Sequence, residues 1–353
     1  MTKTTFIREP IARLSGYVPG EQPRDRSYTK LNTNENPYPP SERVLAALRA
    51  AVGADLRLYP DPVALQLRQA ASSVYGISSD HIMAANGSDE LLSVVMRACV
   101  DPGGAVAYAA PTYSLYDTLV ALQGGVARRI PYPRDYSLPV EGLIEAAAPV
   151  TILCNPNAPS GTLTPAEAVE HLARSVAGLL VVDEAYVDFA SGSAIPLAER
   201  YPNVLVLRTF SKSFSLCGLR IGLAFGNPNL IQELAKVRDS YSVNQLGLIA
   251  ATAALQDYGY MQANAARIRS TRGALSTGLT QRGFEVLPSE TNFVLARREN
   301  VNLSDYQRRL KEQGVLVRYF ATPELRDALR ITVGTPEEMS TLFATMDILG
   351  TPV

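Results

Sequence analysis

Along the first part of the chain, short apolar runs are each followed by a polar turn and then by a stretch with helical spacing of its apolar residues. HIMAA (81–85) precedes NGSDELLSVVMRACV, AVAYA (105–109) precedes PTYSLYDTLVAL, and VTILC (150–154) precedes NPNAPSG and PAEAVEHLARSV. GLLVVDEAY and VLVLRTF (204–210) follow. This alternation predicts α/β layers around a mainly parallel sheet. Continuous apolar runs such as LLVV predict strands covered on both faces. A helical pattern, SERVLAALRAAV, opens after Pro40 with Ser41 as its N-cap. Beyond residue 245 long helical stretches give way to FEVLPSETNFVLA, GVLVRYF and LRITVGT, which read as strands of a smaller α+β domain. The pattern divides the chain into an N-terminal segment (1–30) packed with the small domain, a large α/β domain (31–245) and a small α+β domain (246–353).

Composition narrows the reading. Apolar residues make up 46% and charged residues 19% of 353 positions, enough core for two globular domains. A net charge of −1 provides no electrostatic footprint for nucleic acid. No apolar run is long enough to span a bilayer, and MTKTTFIREPIARL lacks the apolar core and cleavage site of a signal peptide. A cytoplasmic protein is expected, without nucleic-acid or membrane partners. Cys99, Cys154 and Cys217 lie far apart without metal spacing and read as reduced packing residues. Only two histidines occur, His81 and His171. Both read as structural, so a histidine zinc site or a Ser-His-Asp triad is not expected, and proton transfer falls to another base.

In open α/β sheets ligands bind beyond the carboxyl ends of the strands, and four such ends here carry polar residues. Asn86-Gly87-Ser88-Asp89 follows HIMAA, and Asn155-Pro156-Asn157 follows VTILC. Asp183 and then Tyr186 follow LLVV, while Thr209, Ser211 and Lys212 close VLVLRTF. Gly87-Ser88 could be an ordinary helix start, or could present free N–H groups to an anion. Asp89 and Glu90 would repel that anion unless a cation, such as Arg220, offset them. No P-loop motif is present. Asp183 is a cap or an ion pair, or else it faces a cationic ligand nitrogen. Lys212, set among Ser, Phe, Leu and Gly, is a surface lysine or a partly buried amine pushed toward neutrality and nucleophilicity. Pyridoxal phosphate answers all three needs, with an aldehyde for the lysine, a ring nitrogen for the aspartate and a phosphate for the helix start.

On these motifs the sequence resembles the class I/II aminotransferases of fold type I, which depend on pyridoxal phosphate, and within them the histidinol-phosphate aminotransferases. SGYVPGE, KLNTNENPYPP, LYPDP, NGSDE, PTYSLY, NPNAPSG, VVDEAYVDF, RTFSKSFSLCGLRIG and LRITVGT occur in that family's order. The resemblance implies that Lys212 forms the internal aldimine, Asp183 pairs with the pyridine nitrogen and Tyr186 bonds the phenolic oxygen. It implies a phosphate cup of Gly87, Ser88, Asp89, Thr209, Ser211 and Arg220, with Tyr113 stacked on the ring. Tyr59 would reach the phosphate of the partner subunit, which makes a homodimer the expected assembly. One motif departs. The family usually reads NPNNPTG, and its asparagine before the second proline is Ala158 here, so Asn157 is the candidate substitute.

The same resemblance implies a ping-pong transaminase acting on small molecules, an amino donor and a 2-oxo acid. Arg318 and Arg330 would grip a phosphate or carboxylate, for which a planar guanidinium is suited. Tyr17, Asn36 and Tyr241 would line the same pocket. Three rivals share the scaffold: an aromatic amino acid aminotransferase, a phosphothreonine decarboxylase and a non-catalytic cofactor-binding protein. Complete retention of Lys212, Asp183 and Arg220 argues against the last.

Overall fold

The computed structural model describes residues 6–14 and 16–352; residues 1–5 and 15 of the N-terminal segment, and 353 of the small domain, lie outside them. Twelve strands form two sheets among the described residues. The larger contains β2 (Ile82–Ala85), β3 (Ala105–Ala110), β4 (Val126–Pro131), β5 (Val150–Cys154), β6 (Leu179–Asp183), β7 (Val204–Thr209) and β8 (Gly222–Gly226). Their order is β2-β8-β7-β6-β5-β3-β4. The smaller sheet is ordered β1-β11-β12-β10-β9, with β1 at Thr29–Leu31, β9 at Glu285–Val286, β10 at Phe293–Arg297, β11 at Val315–Tyr319 and β12 at Ala328–Thr332.

The apolar runs become strands because both of their faces are covered. β5, β6, β7 and β8 are buried along their whole length, and the helices Ser88–Cys99, Ile195–Arg200 and Pro228–Ala235 pack on β8. β3 through β7 pair in parallel, as the alternation predicts. β8 is antiparallel to both β7 and β2. Two reversals restore the direction, so β2 runs with β7, and the carboxyl ends of β2, β3, β5, β6 and β7 open on one edge. Gly222, paired with Ala85 on one side and Thr209 on the other, sits at that edge. A Cβ there would come within 2.6 Å of the Gly87 carbonyl carbon and the Ser88 nitrogen. Only glycine lets β8 approach the start of the Ser88–Cys99 helix so closely.

The N-terminal segment crosses between the two sheets. Residues 29–31 form an edge of the small sheet, and Arg26 donates to the carbonyls of Lys311 and Glu312. The first helix, Glu9–Ala12, instead packs on Leu115–Gln123. A boundary after residue 245 falls at the start of the helix Gln245–Gln256, which packs on the large-domain helices Glu42–Ala51 and Leu65–Tyr75.

Behind the carboxyl ends lies a buried ion cluster. Arg208 of β7 pairs with Glu184 at 3.2 Å and with Asp188. Ser213 also donates to Asp188, which ties the segment holding Lys212 to the segment after β6. Removing one charge from such a cluster strands the others and costs about 3–5 kcal/mol. Arg208→Met, measured by urea unfolding, is expected to lose about that much stability, and a change under about 1 kcal/mol would show the cluster is not a fixed part of the fold.

Candidate active site

Asp183 ends β6 with 2% of its surface exposed. Its carboxylate accepts from the Tyr116 hydroxyl at 2.7 Å and from the Ala185 N–H at 3.3 Å. Burial pushes its pKa up to about 6, against these two donors. A carboxylate held in such a place gains most from a cationic partner. Lys212 lies beyond the end of β7. Its amine is 3.5 Å from the Thr33 carbonyl and 5.8 Å from the Tyr186 ring centre. Burial, with Arg330 nearby, lowers its pKa and so favours the neutral, nucleophilic amine.

Beside them a cradle forms at the start of the Ser88–Cys99 helix. Gly87 has φ of 86°, and a Cβ there would meet the Arg220 guanidinium at 2.8 Å. Arg220 bonds Ser211 Oγ at 3.2 Å and Asp89 at 3.0 Å. Thr209 Oγ1 donates to Ser211 Oγ at 3.0 Å and accepts the Ser211 N–H at 3.1 Å. Gly87, Ser88, Asp89, Thr209, Ser211 and Arg220 are thus drawn together from three chain segments. The concern that Asp89 repels an anion is met by its pairing with Arg220. Tyr113 reaches Asp89 with its hydroxyl at 3.3 Å, and its ring meets Tyr17 and Tyr116 edge-on.

Arg318 and Arg330 stand directly opposite each other on β11 and β12. Both guanidiniums lie over the Phe320 ring, at 5.3 and 5.6 Å. Like charges across a strand pair repel. Arg330 donates to the Asn32 carbonyl at 3.0 Å, but its Nε is buried without a partner. Arg318 has only distant carbonyls, Val18 at 3.3 Å and Pro19 at 3.4 Å. Neither guanidinium has a carboxylate partner among the described residues.

Two expected contacts come out differently. Asn36 does not offer its amide to a pocket: it donates to the carbonyls of Lys212 and Ser213, each at 3.0 Å, and accepts the Tyr38 N–H. It clamps the lysine's backbone. Asn157 donates to Pro111 O and Ser160 Oγ and accepts from Thr112. Both of its amide N–H groups are used within the chain, so it cannot substitute at Ala158. Tyr241 stacks on Tyr59 at 4.5 Å on the exterior, where Tyr59 is 80% exposed. Arg238 holds that patch by donating to Pro62, Ala84 and Ser242.

The family model for aminotransferase class I and II matches residues 26–345. The chain belongs to the class I and II aminotransferases. Among relatives of this aminotransferase, histidinol-phosphate aminotransferase 1 of Trichormus variabilis is 46% identical over 336 residues, 95% of this chain and 96% of the relative. The histidinol-phosphate aminotransferase of Syntrophotalea carbinolica is 46% identical over 344 residues, covering 97% and 99%. The crystal structure of the Sinorhizobium meliloti histidinol-phosphate aminotransferase in complex with pyridoxal-5'-phosphate superposes with a TM-score of 0.86 at 31% identity, covering 92% of this aminotransferase and 93% of that chain. The fold is therefore that of the fold-type I transferases, as the motifs implied.

Tyr116 and Asn34 belong to the site but carry no role in the sequence reading. Tyr116 bonds Asp183, and Asn34 bonds the Tyr186 hydroxyl at 3.0 Å. A signal existed for Tyr116, which lies one helical turn beyond Tyr113.

Proposed function

We propose that this aminotransferase moves the amino group of histidinol phosphate to 2-oxoglutarate by ping-pong chemistry, with pyridoxal phosphate held between Lys212 and Asp183. The residues fit that group: a buried carboxylate without a cationic partner, an amine whose pKa burial lowers and a glycine cradle closed by Arg220. When bound, the cofactor supplies an aldehyde carbon for amine exchange and a ring that takes up electrons from the substrate's α-carbon.

The chain's own residues do the rest. Asp183 would pair with the ring nitrogen and keep it protonated, with Tyr116 fixing the carboxylate. Gly87, Ser88, Thr209, Ser211 and Arg220 would hold the phosphate, with Asp89 orienting Arg220. Tyr113 would cover the ring. Lys212 would hold the cofactor's aldehyde carbon and, as the free amine, would move a proton at the substrate's α-carbon. Asn36, by clamping the backbone carbonyls at Lys212 and Ser213, keeps that amine within reach. Tyr17, whose ring meets Tyr113 edge-on, would line the substrate side.

The observation that carries the choice of donor is the facing pair Arg318 and Arg330. Two guanidiniums opposed across two strands suit a phosphate monoester of nearly two negative charges better than a single carboxylate. Arg330→Leu is expected to lower kcat/KM for histidinol phosphate by about 10–100-fold, the worth of one charge-assisted hydrogen bond of about 1.5–3 kcal/mol. Unchanged kcat/KM would remove Arg330 from the site.

The exposed stack of Tyr59 on Tyr241 is proposed as part of a homodimer interface, through which Tyr59 reaches the partner's phosphate site. Val52, Leu56, Leu58 and Val63, all more than 45% exposed, continue this apolar patch along the chain. No described helix is long and apolar enough to cross a membrane. Cys99, Cys154 and Cys217 are all free thiols, which supports a cytoplasmic setting.

A further inference from the structure

Near the phenolic oxygen of a cofactor held by Lys212 and Asp183, the chain offers few donors. Ala158 has none, and both N–H groups of Asn157 are used on Pro111 and Ser160. The Tyr186 hydroxyl remains, and a phenol has a single proton to give. Where that proton points depends on what else the hydroxyl meets.

It meets Asn34. The Asn34 residue is 1% exposed and sits at φ of 56°, a left-handed conformation that asparagine tolerates. Its backbone N–H donates to Thr332 Oγ1 at 3.0 Å, and the Thr332 hydroxyl returns a bond to Asn34 Oδ1 at 3.1 Å. The Asn34 carbonyl accepts from the Asn292 amide at 2.9 Å. The threonine's one proton therefore fixes the side-chain oxygen of Asn34 toward Thr332 and its N–H group toward Tyr186, at 3.0 Å. A hydroxyl that accepts from an amide N–H cannot donate back to it. Its proton must leave in another direction.

We propose that Asn34 is a positioning residue that turns the Tyr186 hydroxyl outward, so that its one proton is donated to the phenolic oxygen of the cofactor. This rests on the reading that the cofactor lies between Lys212 and Asp183. Thr332 is two residues from Arg330 on β12, so the strand that binds the substrate's anion also sets the polarity of this hydrogen bond. A donor on the phenolic oxygen stabilises its anionic form. Without the donor, a proton held beside that oxygen stays to higher pH.

The test is the pH at which the visible absorbance of the bound cofactor changes, read in the holoenzyme and in three variants. Tyr186→Phe removes the donor and sets the scale. Asn34→Asp keeps the shape and the left-handed backbone but offers an acceptor, which claims the tyrosine's proton. Asn34→Gly keeps the backbone freedom and deletes the amide. The charged and titratable groups facing Tyr186 include Asp183, Cys154, Arg330 and Lys212, and all three variants leave these in place. We expect the midpoint to rise by about one unit or more in Tyr186→Phe and Asn34→Asp, and by less in Asn34→Gly. Should one Asn34 variant fail to fold, the other still reads the shift. Midpoints at the wild-type value in the folded Asn34 variants, with Tyr186→Phe shifted, would overturn the role of Asn34 alone. A wild-type protein that shows no visible band with added cofactor would overturn the placement of the cofactor, and this inference with it.

Discussion

Lys212→Ala should lose nearly all turnover, by at least about 10⁴-fold, since under the proposed function one amine is both the covalent attachment and the proton carrier. Neither histidine can substitute: His81 lies beside β2 at the end opposite the site, and His171 on the helix Ala166–Ser175 near Glu141. The amine is already lowered in pKa by burial and by Arg330, so replacement removes a prepared group. The buried aspartate and the cradle at Gly87 are untouched by this change, so the variant should still bind the cofactor, reversibly. Borohydride should then fix the cofactor to the wild-type chain and not to the variant. Wild-type turnover with a reducible link in Lys212→Ala would show that the nucleophile lies elsewhere.

Asp183→Asn should separate stability from activity. In the cofactor-free protein Asp183 has a raised pKa, about 6, chiefly through burial. The folded state therefore binds its proton more tightly than the unfolded chain does. For a carboxylate this sign means that stability falls as pH rises from the unfolded value through about 6, and stays reduced above it. Asparagine is neutral at every pH; its one side-chain oxygen can still accept from the Ala185 N–H, with its amide N–H donating to the Tyr116 hydroxyl in place of the lost bond. The cofactor-free variant is thus expected to melt higher than the cofactor-free wild type at pH 7–8, and to match it more closely near pH 4. Turnover should fall by about 10²-fold or more, since a neutral amide cannot hold the ring nitrogen protonated as a buried carboxylate does. A variant with a lower Tm at pH 8 and full activity would mean that the carboxylate serves the fold and not the chemistry.

The strands buried on both faces were legible because an uninterrupted apolar run has few other uses. VTILC and LLVV became β5 and β6 at nearly the residues that the pattern suggests. β4 was not, because it is a sheet edge whose positions are mostly exposed, and VARRIP carries two arginines. β8 was also hidden. Its glycines look like turn signals, yet Gly222 is there for its close approach to Gly87 and Ser88. In the site, Asp183 and Lys212 stood out because a charge beside an apolar strand is costly without a purpose. Asn34, Asn36 and Asn157 could not be sorted in this way. An amide reads the same in sequence whether it faces a ligand, clamps a backbone or props a neighbour, and only its partners distinguish the three. The facing of Arg318 and Arg330 likewise depends on the register of β11 against β12, which the two separate motifs do not reveal.

The central claim, a transaminase with histidinol phosphate as its donor, is tested most directly by single-turnover half-reactions of the cofactor-loaded enzyme. Histidinol phosphate, phenylalanine, tyrosine and phosphothreonine are each mixed with one preparation, and loss of the cofactor's visible absorbance is followed alongside release of carbon dioxide. The account predicts that histidinol phosphate reacts with kcat/KM about 10–100-fold above phenylalanine, as one poorly paired guanidinium implies, and that no carbon dioxide appears. Equal or faster reaction with phenylalanine or tyrosine would contradict it in favour of an aromatic aminotransferase, and carbon dioxide from phosphothreonine would contradict it in favour of a decarboxylase.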